Sequence, residues 1–382
     1  MKKIFKYSFI SLATLMVAAS LVLFISGKQY VFKALYYNFA DIDDYKIFSN
    51  RIIAESSTPL KWKKSKNYNQ VNISDSLKKT LEKIETVAFL IIKDDSIQYE
   101  QYWDGYSPDS YSNSFSMAKS YVGALIGIAL QEGKIKNINQ PVSDFLPEFK
   151  EGDKSKITIR HLLMMSSGLN WEEGYASPLS VTTEAYYGSD LRKLIRSLKP
   201  VEEPGKIFRY KSGDTQIISF ILEKATGMSL SKYAHEKLWQ PLGCTNDALW
   251  SLDKDGGNEK AYCCLNSNAR DFAKIGKLYL QKGAWNHVQL ISPVYIEAAI
   301  TPTKLPDGDF DYKPADFYGY HWWTLPAYKG HDIFYARGIL GQYVIVIPEK
   351  KIIIVRLGKK RGEKAGKHYQ EIFTMIDEAL SR

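Results

Sequence analysis

The chain has 382 residues, of which 45% are apolar and 24% charged, with a formal net charge of +9. That composition excludes extended disorder and suits one large folded domain. Three cysteines exclude a disulfide-dense scaffold, six scattered histidines give no metal-ligand spacing, and four of the positive charges lie in the first 28 residues, leaving the rest too weakly basic to mark a nucleic-acid surface.

Residues 7–26 contain no charge and as a helix span roughly 30 Å, about one bilayer core. Lys2, Lys3 and Lys6 precede the run, a flank expected to stay in the cytoplasm while the rest emerges on the far side. Residues 1–28 therefore read as an N-terminal membrane anchor. A cleaved signal is the alternative, with Ala18, Ala19, Ser20, Ser26 and Gly27 offering processing sites. Both readings export the remainder, to the periplasmic face of the inner membrane in a Gram-negative source. Residues 29–74 read as a connector and approach, and 75–382 as one folded domain.

Residues 75–84 fit a short helix. Residues 87–93 and 97–103, joined by Asp94-Asp95-Ser96, predict a β-hairpin. Residues 120–133 fit a helix apolar on most sides, which marks a central helix; Gly123 and Gly127 weaken it but permit close packing. Pro141 and Pro147 break the chain beyond it. Another helix is expected to end near Gly168, and the aromatic, turn-rich residues 170–187 predict a loop lining a cleft. Helices are expected at 189–198, 214–224, 267–284 and 292–299. A bridge from Cys244 to Cys263 or Cys264 is left open by the odd cysteine count. Residues 342–348 and 351–357 are strand-like and turn at Pro348-Glu349-Lys350; residues 366–381 return to a helical pattern. The order predicts an α/β (α+β) fold whose sheet is assembled from both ends of the chain, with a helical region inserted between its strands.

Ser116 and Lys119 are three residues apart at the start of the central helix, which sets both on one face. A serine hydroxyl needs a base within reach, and burial among Phe115, Met117 and Ala118 lowers the proton affinity of a lysine. The helix start adds N–H groups for developing oxyanion charge. Ser-x-x-Lys alone recurs by chance, so its weight comes from the rest of the pattern.

Ser116-Met117-Ala118-Lys119, Tyr210-Lys211-Ser212 and Ala336-Arg337-Gly338 follow one another in the order of the three motifs of the serine β-lactamase and penicillin-binding-protein superfamily. Over about residues 75–380 the chain most resembles the class C β-lactamase, esterase and 6-aminohexanoate-dimer hydrolase branch. Segments from Thr158 to Leu169, at Gly213-Asp214-Thr215, at Ala269-Arg270-Asp271 and from Tyr318 to Trp323 are also family-like. The resemblance implies a β-lactamase/transpeptidase-like fold with a central antiparallel sheet flanked by helices. It implies catalytic residues Ser116, Lys119 and Tyr210, an oxyanion hole of the Ser116 and Ile339 N–H groups, and no metal or organic cofactor. Ser212 and Gly338 are expected at the substrate, with Trp171, Tyr175, Tyr187, Trp322 and Trp323 as its aromatic wall. Two departures stand out. Ser212 replaces the usual Asn, and Ala336 replaces the usual Lys or His, while strand alternation is expected to turn Arg337 to the other face. Glu172 and Glu173 read as solvated charges.

The expected reaction is hydrolysis of a small ester, linear amide or short peptide through an acyl-serine. A β-lactamase or D-alanyl carboxypeptidase is the alternative within the fold; a catalytically inactive, membrane-anchored binding or sensory protein is the alternative outside it.

Overall fold

In the computed structural model, which describes residues 2–382, a seven-stranded sheet carries the domain. Its order, by residue, is Trp323–Tyr328, His331–Gly338, Gln342–Ile347, Ile352–Gly358, Thr86–Lys93, Ser96–Tyr102 and Lys63–Lys64. Every pairing is antiparallel except that of the short edge strand Lys63–Lys64. The carboxyl-terminal strand Ile352–Gly358 lies beside the amino-terminal hairpin, in register from Ile352 opposite Lys93 to Leu357 opposite Ala88. Both ends of the chain thus build one sheet, as the order of elements implied.

The strands are apolar on both faces because helices cover both. Along Ile352–Gly358, Ile352 and Ile354 enter one core while Ile353, Val355 and Leu357 enter the other. The neighbouring strand splits in the same way: Tyr343, Ile345 and Ile347 face one side, Val344 and Val346 the other. Helices Asp75–Lys83 and Gln370–Leu380 cover the first face through Leu77, Leu81, Ile372 and Met375. Helix Ala269–Leu280 covers the second, with Gly276 against Val344, Val346 and Ile353. Helix Ala118–Gln131 lies deeper on that side and is buried through nearly its whole length. At Gly127 a Cβ would come within 2.6 Å of Ile291 and 2.8 Å of Tyr295, so this glycine is required by close packing.

The inserted region is less purely helical than its sequence suggested. It contributes strands Ala248–Ser251, Leu265–Ser267 and Ser112–Asn113 to a second sheet, which Asn50–Ile53 completes at the edge. These strands have two to four residues, too short to show a period of two. Residues 170–187 are not all loop, since Val181–Tyr187 is a helix capped by the Ser180 hydroxyl. The expected 267–284 helix ends at Leu280, and a two-residue hairpin follows. The disulfide joins the adjacent Cys263 and Cys264, while Cys244 is buried and free. Neither bridge from Cys244 forms, because the two neighbours satisfy one another within a turn where Cys264 has φ 68°.

At the amino end, Lys2–Ile25 is one helix, exposed along its apolar length and long enough to cross a membrane. Residues 26–29 connect it to helix Tyr30–Tyr37, which packs on Val181–Tyr187 through Tyr30, Val31 and Ala34.

Arg356 ties the sheet to the loop after Gly338. It is fully buried and donates to the Leu340 and Gly341 carbonyls, both at 2.7 Å, to the Thr86 hydroxyl at 3.1 Å and to the Ile84 carbonyl. Burial holds its pKa down to about 10. Arg356→Ala is expected to leave these acceptors without partners and to cost on the order of 3 kcal/mol, read as a lower urea midpoint. An unchanged midpoint would contradict that role.

Candidate active site

Ser116 sits in the short turn Phe115–Met117 that leads into helix Ala118–Gln131. The turn is tense. Phe115 has φ 44°, a left-handed conformation that non-glycine residues rarely adopt. Its N–H is held by the Asn113 side chain at 2.9 Å, and the Ser114 N–H by the Leu265 carbonyl at 2.9 Å. Gly338 abuts this turn from the main sheet: any Cβ there would run into the Ser114 carbonyl. The strand pairing ends at Gly338 opposite Gln342, so the N–H of Ile339 lies beyond the ladder, beside the turn that bears Ser116.

Lys119 lies one helical turn from Ser116 and is 1% exposed. Its Nζ reaches the Ser116 Oγ at 3.0 Å, the Ser212 Oγ at 3.0 Å and the Tyr262 carbonyl at 2.8 Å. Burial lowers its pKa to about 8, against the opposing pull of the Glu173 carboxylate. His321 fixes the backbone beneath it, with Nδ1 3.0 Å from the Lys119 carbonyl and Nε2 3.3 Å from the Thr215 hydroxyl. Burial first, then the Lys119 charge, pushes His321 down to about 3, so its ring is neutral and adds no competing cation.

Tyr210 enters from the segment before helix Ser212–Thr226. The chain is pinned there by Arg209 N–H to the Met165 carbonyl at 2.9 Å and by Lys211 Nζ to the Leu169 carbonyl at 2.5 Å. The Tyr210 ring packs edge-on against Tyr318 and tilted against Trp323, with the Lys119 Nζ 5.1 Å from its centroid. Burial and then the Glu173 charge raise its pKa, while a Ser116 hydrogen bond and the Arg337 charge hold it down.

Glu173 was expected to be a solvated charge, and the structure corrects this. Its Oε1 accepts from the Ser212 N–H at 2.5 Å and from Trp171 Nε1 at 2.9 Å, and its Oε2 from the Tyr175 hydroxyl at 2.5 Å. It biases both Lys119 and Tyr210. Only its place among aromatic residues with polar ends hinted at this. Arg337 is a second correction. It follows strand alternation off the face that holds Ala336, yet at the strand's end it borders the cleft, its guanidinium 3.2 Å above the Trp323 ring. Ala336 is buried in the core. The Tyr262 carbonyl had no sequence signal at all.

Two cavities meet at Ser116, of about 990 and 530 Å³. Trp171, Tyr210, Trp323 and Gly338 line the larger, Tyr187 and Ser212 the smaller, and Tyr175 and Ile339 both. Trp322 lines neither. It is fully buried between Tyr279 and Phe334 because the strand that starts at Trp323 turns adjacent side chains to opposite faces.

The β-lactamase family profile matches residues 74–373. The chain belongs to that family. It is a serine hydrolase with the family's mixed α/β fold. It is 25% identical over 299 residues to the 6-aminohexanoate-dimer hydrolase of Paenarthrobacter ureafaciens, covering 74% of each chain. A solved Bacillus anthracis structure, provisionally named a 6-aminohexanoate-dimer hydrolase, superposes with a TM-score of 0.76 at 22% identity over 89% of this chain and 91% of that one. A family VIII carboxylesterase superposes with a TM-score of 0.64 at 17% identity, over 84% and 99%.

Asp214, on the helix after Tyr210, is fully buried and accepts from the Ser167 hydroxyl at 2.6 Å. Burial raises its pKa to about 7, against Lys211 and the Ser167 bonds. The folded protein therefore holds this proton where the unfolded chain has lost it, and stability falls as pH rises from about 4 to about 7. Asp214→Asn is expected to flatten that loss, measured by urea unfolding at pH 5 and pH 7.5. An undiminished slope in the variant would refute the assignment.

Proposed function

We propose that the protein cleaves a carboxylic ester or linear amide through an acyl-enzyme on Ser116. The observation that carries this is the buried Lys119 amine, 3.0 Å from the Ser116 hydroxyl with its pKa lowered to about 8. An amine so placed is partly neutral near physiological pH and can accept the serine proton. Ser116 Oγ attacks the substrate carbonyl as its proton passes to Lys119. The N–H groups of Ser116 and Ile339 receive the oxyanion. Tyr210, which keeps its own proton at neutral pH, donates to the departing amine or alcohol and is reprotonated from Lys119. Water then attacks the acyl carbon by the reverse relay and frees the acid. No cofactor enters these steps. The activities of the two named relatives, one on a linear amide dimer and one on carboxylic esters, support the reading.

A second reading rests on Arg337. This cation borders the cleft beside Gly338, and no carboxylate pairs with it among the described residues. It could hold the carboxylate of a D-alanyl peptide or a β-lactam. A D-alanyl-D-alanine carboxypeptidase assignment for an Escherichia coli K12 relative, 27% identical over 49% of this chain and 48% of its own, points the same way. The amino-terminal helix we read as an anchor or signal that exports the domain, with the lysine flank left in the cytoplasm.

The discriminating assay presents p-nitrophenyl esters, 6-aminohexanoate dimer, a chromogenic cephalosporin and a D-alanyl peptide to native protein and to Ser116→Ala. Ester or amide turnover is expected to fall by about 10⁴- to 10⁶-fold in the variant. Turnover that survives the substitution would remove Ser116 from the chemistry. A separate expectation concerns Glu173, whose charge raises the Lys119 pKa. The acid limb of kcat/KM is expected near pH 8 in the native enzyme, and Glu173→Gln is expected to move it to lower pH. A limb that stays put or moves up would separate Glu173 from Lys119.

A further inference from the structure

The two cavities that meet at Ser116 differ in chemistry. The larger is ionic, bordered by Glu202, Arg209, Asp307, Asp309, Lys364 and Lys367. The smaller is walled by Ala34, Leu35, Phe39, Phe115, Tyr187 and Leu340; the one charged side chain on it is Arg361, which also borders the larger, and no Lys, Asp or Glu lines it. Tyr210 borders only the larger. If Tyr210 protonates the leaving group, that group departs through the ionic arm and the acyl group occupies the apolar one.

The apolar arm also has an unusual wall. Leu35 and Phe39 belong to the segment that follows the membrane-length helix, separated from it by residues 26–29 alone. They stay 65% and 76% exposed at the cavity's edge, beside Tyr175 at 50%. Apolar side chains left in water at the mouth of an apolar cavity suit an apolar ligand. On the reading of that helix as a retained anchor, it holds this mouth close to a bilayer surface, where amphiphiles concentrate.

We propose that the smaller cavity is an acyl-chain subsite, and that the substrate is an ester or amide of a medium- or long-chain fatty acyl group. This rests on the Ser116 acyl-enzyme reading and extends it. The bond formed is Ser116 Oγ to the acyl carbon; the bond broken joins that carbon to the leaving oxygen or nitrogen, which takes the proton from Tyr210. Water restores the serine and releases the fatty acid.

The test uses the full-length chain in phosphatidylcholine vesicles with p-nitrophenyl acetate, butyrate, hexanoate and octanoate. Burial of each methylene is expected to raise kcat/KM up to about fourfold, so octanoate should exceed acetate by roughly 10²-fold or more. Ala176→Trp, which narrows the cavity, and Phe39→Ser, which removes part of its wall, should each lower the octanoate-to-acetate ratio by about tenfold. Acetate turnover with a flat or falling chain-length series overturns the subsite and leaves the serine hydrolase standing. A rising series that neither variant alters places the chain elsewhere and also overturns it. If no ester turns over and a fluorophosphonate does not label Ser116, the acyl-enzyme reading falls and this inference falls with it.

Discussion

The site depends on keeping one amine out of water. A lysine in solvent holds its proton well above neutral pH, and burial favours the neutral form. Lys119 is buried, yet its Nζ is not orphaned, because three oxygens surround it. A neutral amine has two protons to donate and one lone pair. The Tyr262 carbonyl can only accept, and the Ser212 hydroxyl can accept as well. With both donors so directed, the lone pair is left for the Ser116 hydroxyl. Ser212 therefore keeps an acceptor where Lys119 needs one.

The fold supplies the dryness and the alignment. Helix Ala118–Gln131 is enclosed by packing so close that Gly127 has no room for a side chain. The strand ending at Gly338 is pressed against the Ser114 carbonyl, and Arg356 fastens the next residues to the strand beside the amino-terminal hairpin. The turn bearing Ser116, held by Asn113 and Leu265 of the second sheet, is thus set against the N–H of Ile339 at the end of a main-sheet strand. Strain at Phe115 persists because packing on several sides holds that turn.

The features legible in the sequence were those with a period or a fixed spacing. Residues 87–93 and 351–357 are long enough to read as buried strands, and Ser116 with Lys119 is a local pair. Tyr210 was reached through motif order, not distance. What escaped was set by tertiary approach. The second sheet is made of very short strands from four distant segments. Glu173 looks like a surface acid until Trp171, Tyr175 and the Ser212 N–H close around it. Trp322 and Trp323 look equivalent in an aromatic run, yet one residue of strand register sends the first into the core and the second to the cleft. Arg337 obeyed alternation, but the cleft wraps the strand's end, so both faces matter there.

The electrostatics also divide the labour between Lys119 and Tyr210. Burial acts on both in favour of the neutral form, which lowers an amine and raises a phenol. The phenol therefore keeps its proton at neutral pH while the amine can be without one. Glu173 moves both pKa values upward, and Arg337 opposes it only at Tyr210. Two groups pushed in opposite directions by the same dry site suit the base and acid roles proposed for them. On this argument Lys119 starts the proposed reaction by accepting a proton, and Tyr210 starts it as a donor facing the ionic arm, which gives the leaving group its direction of exit.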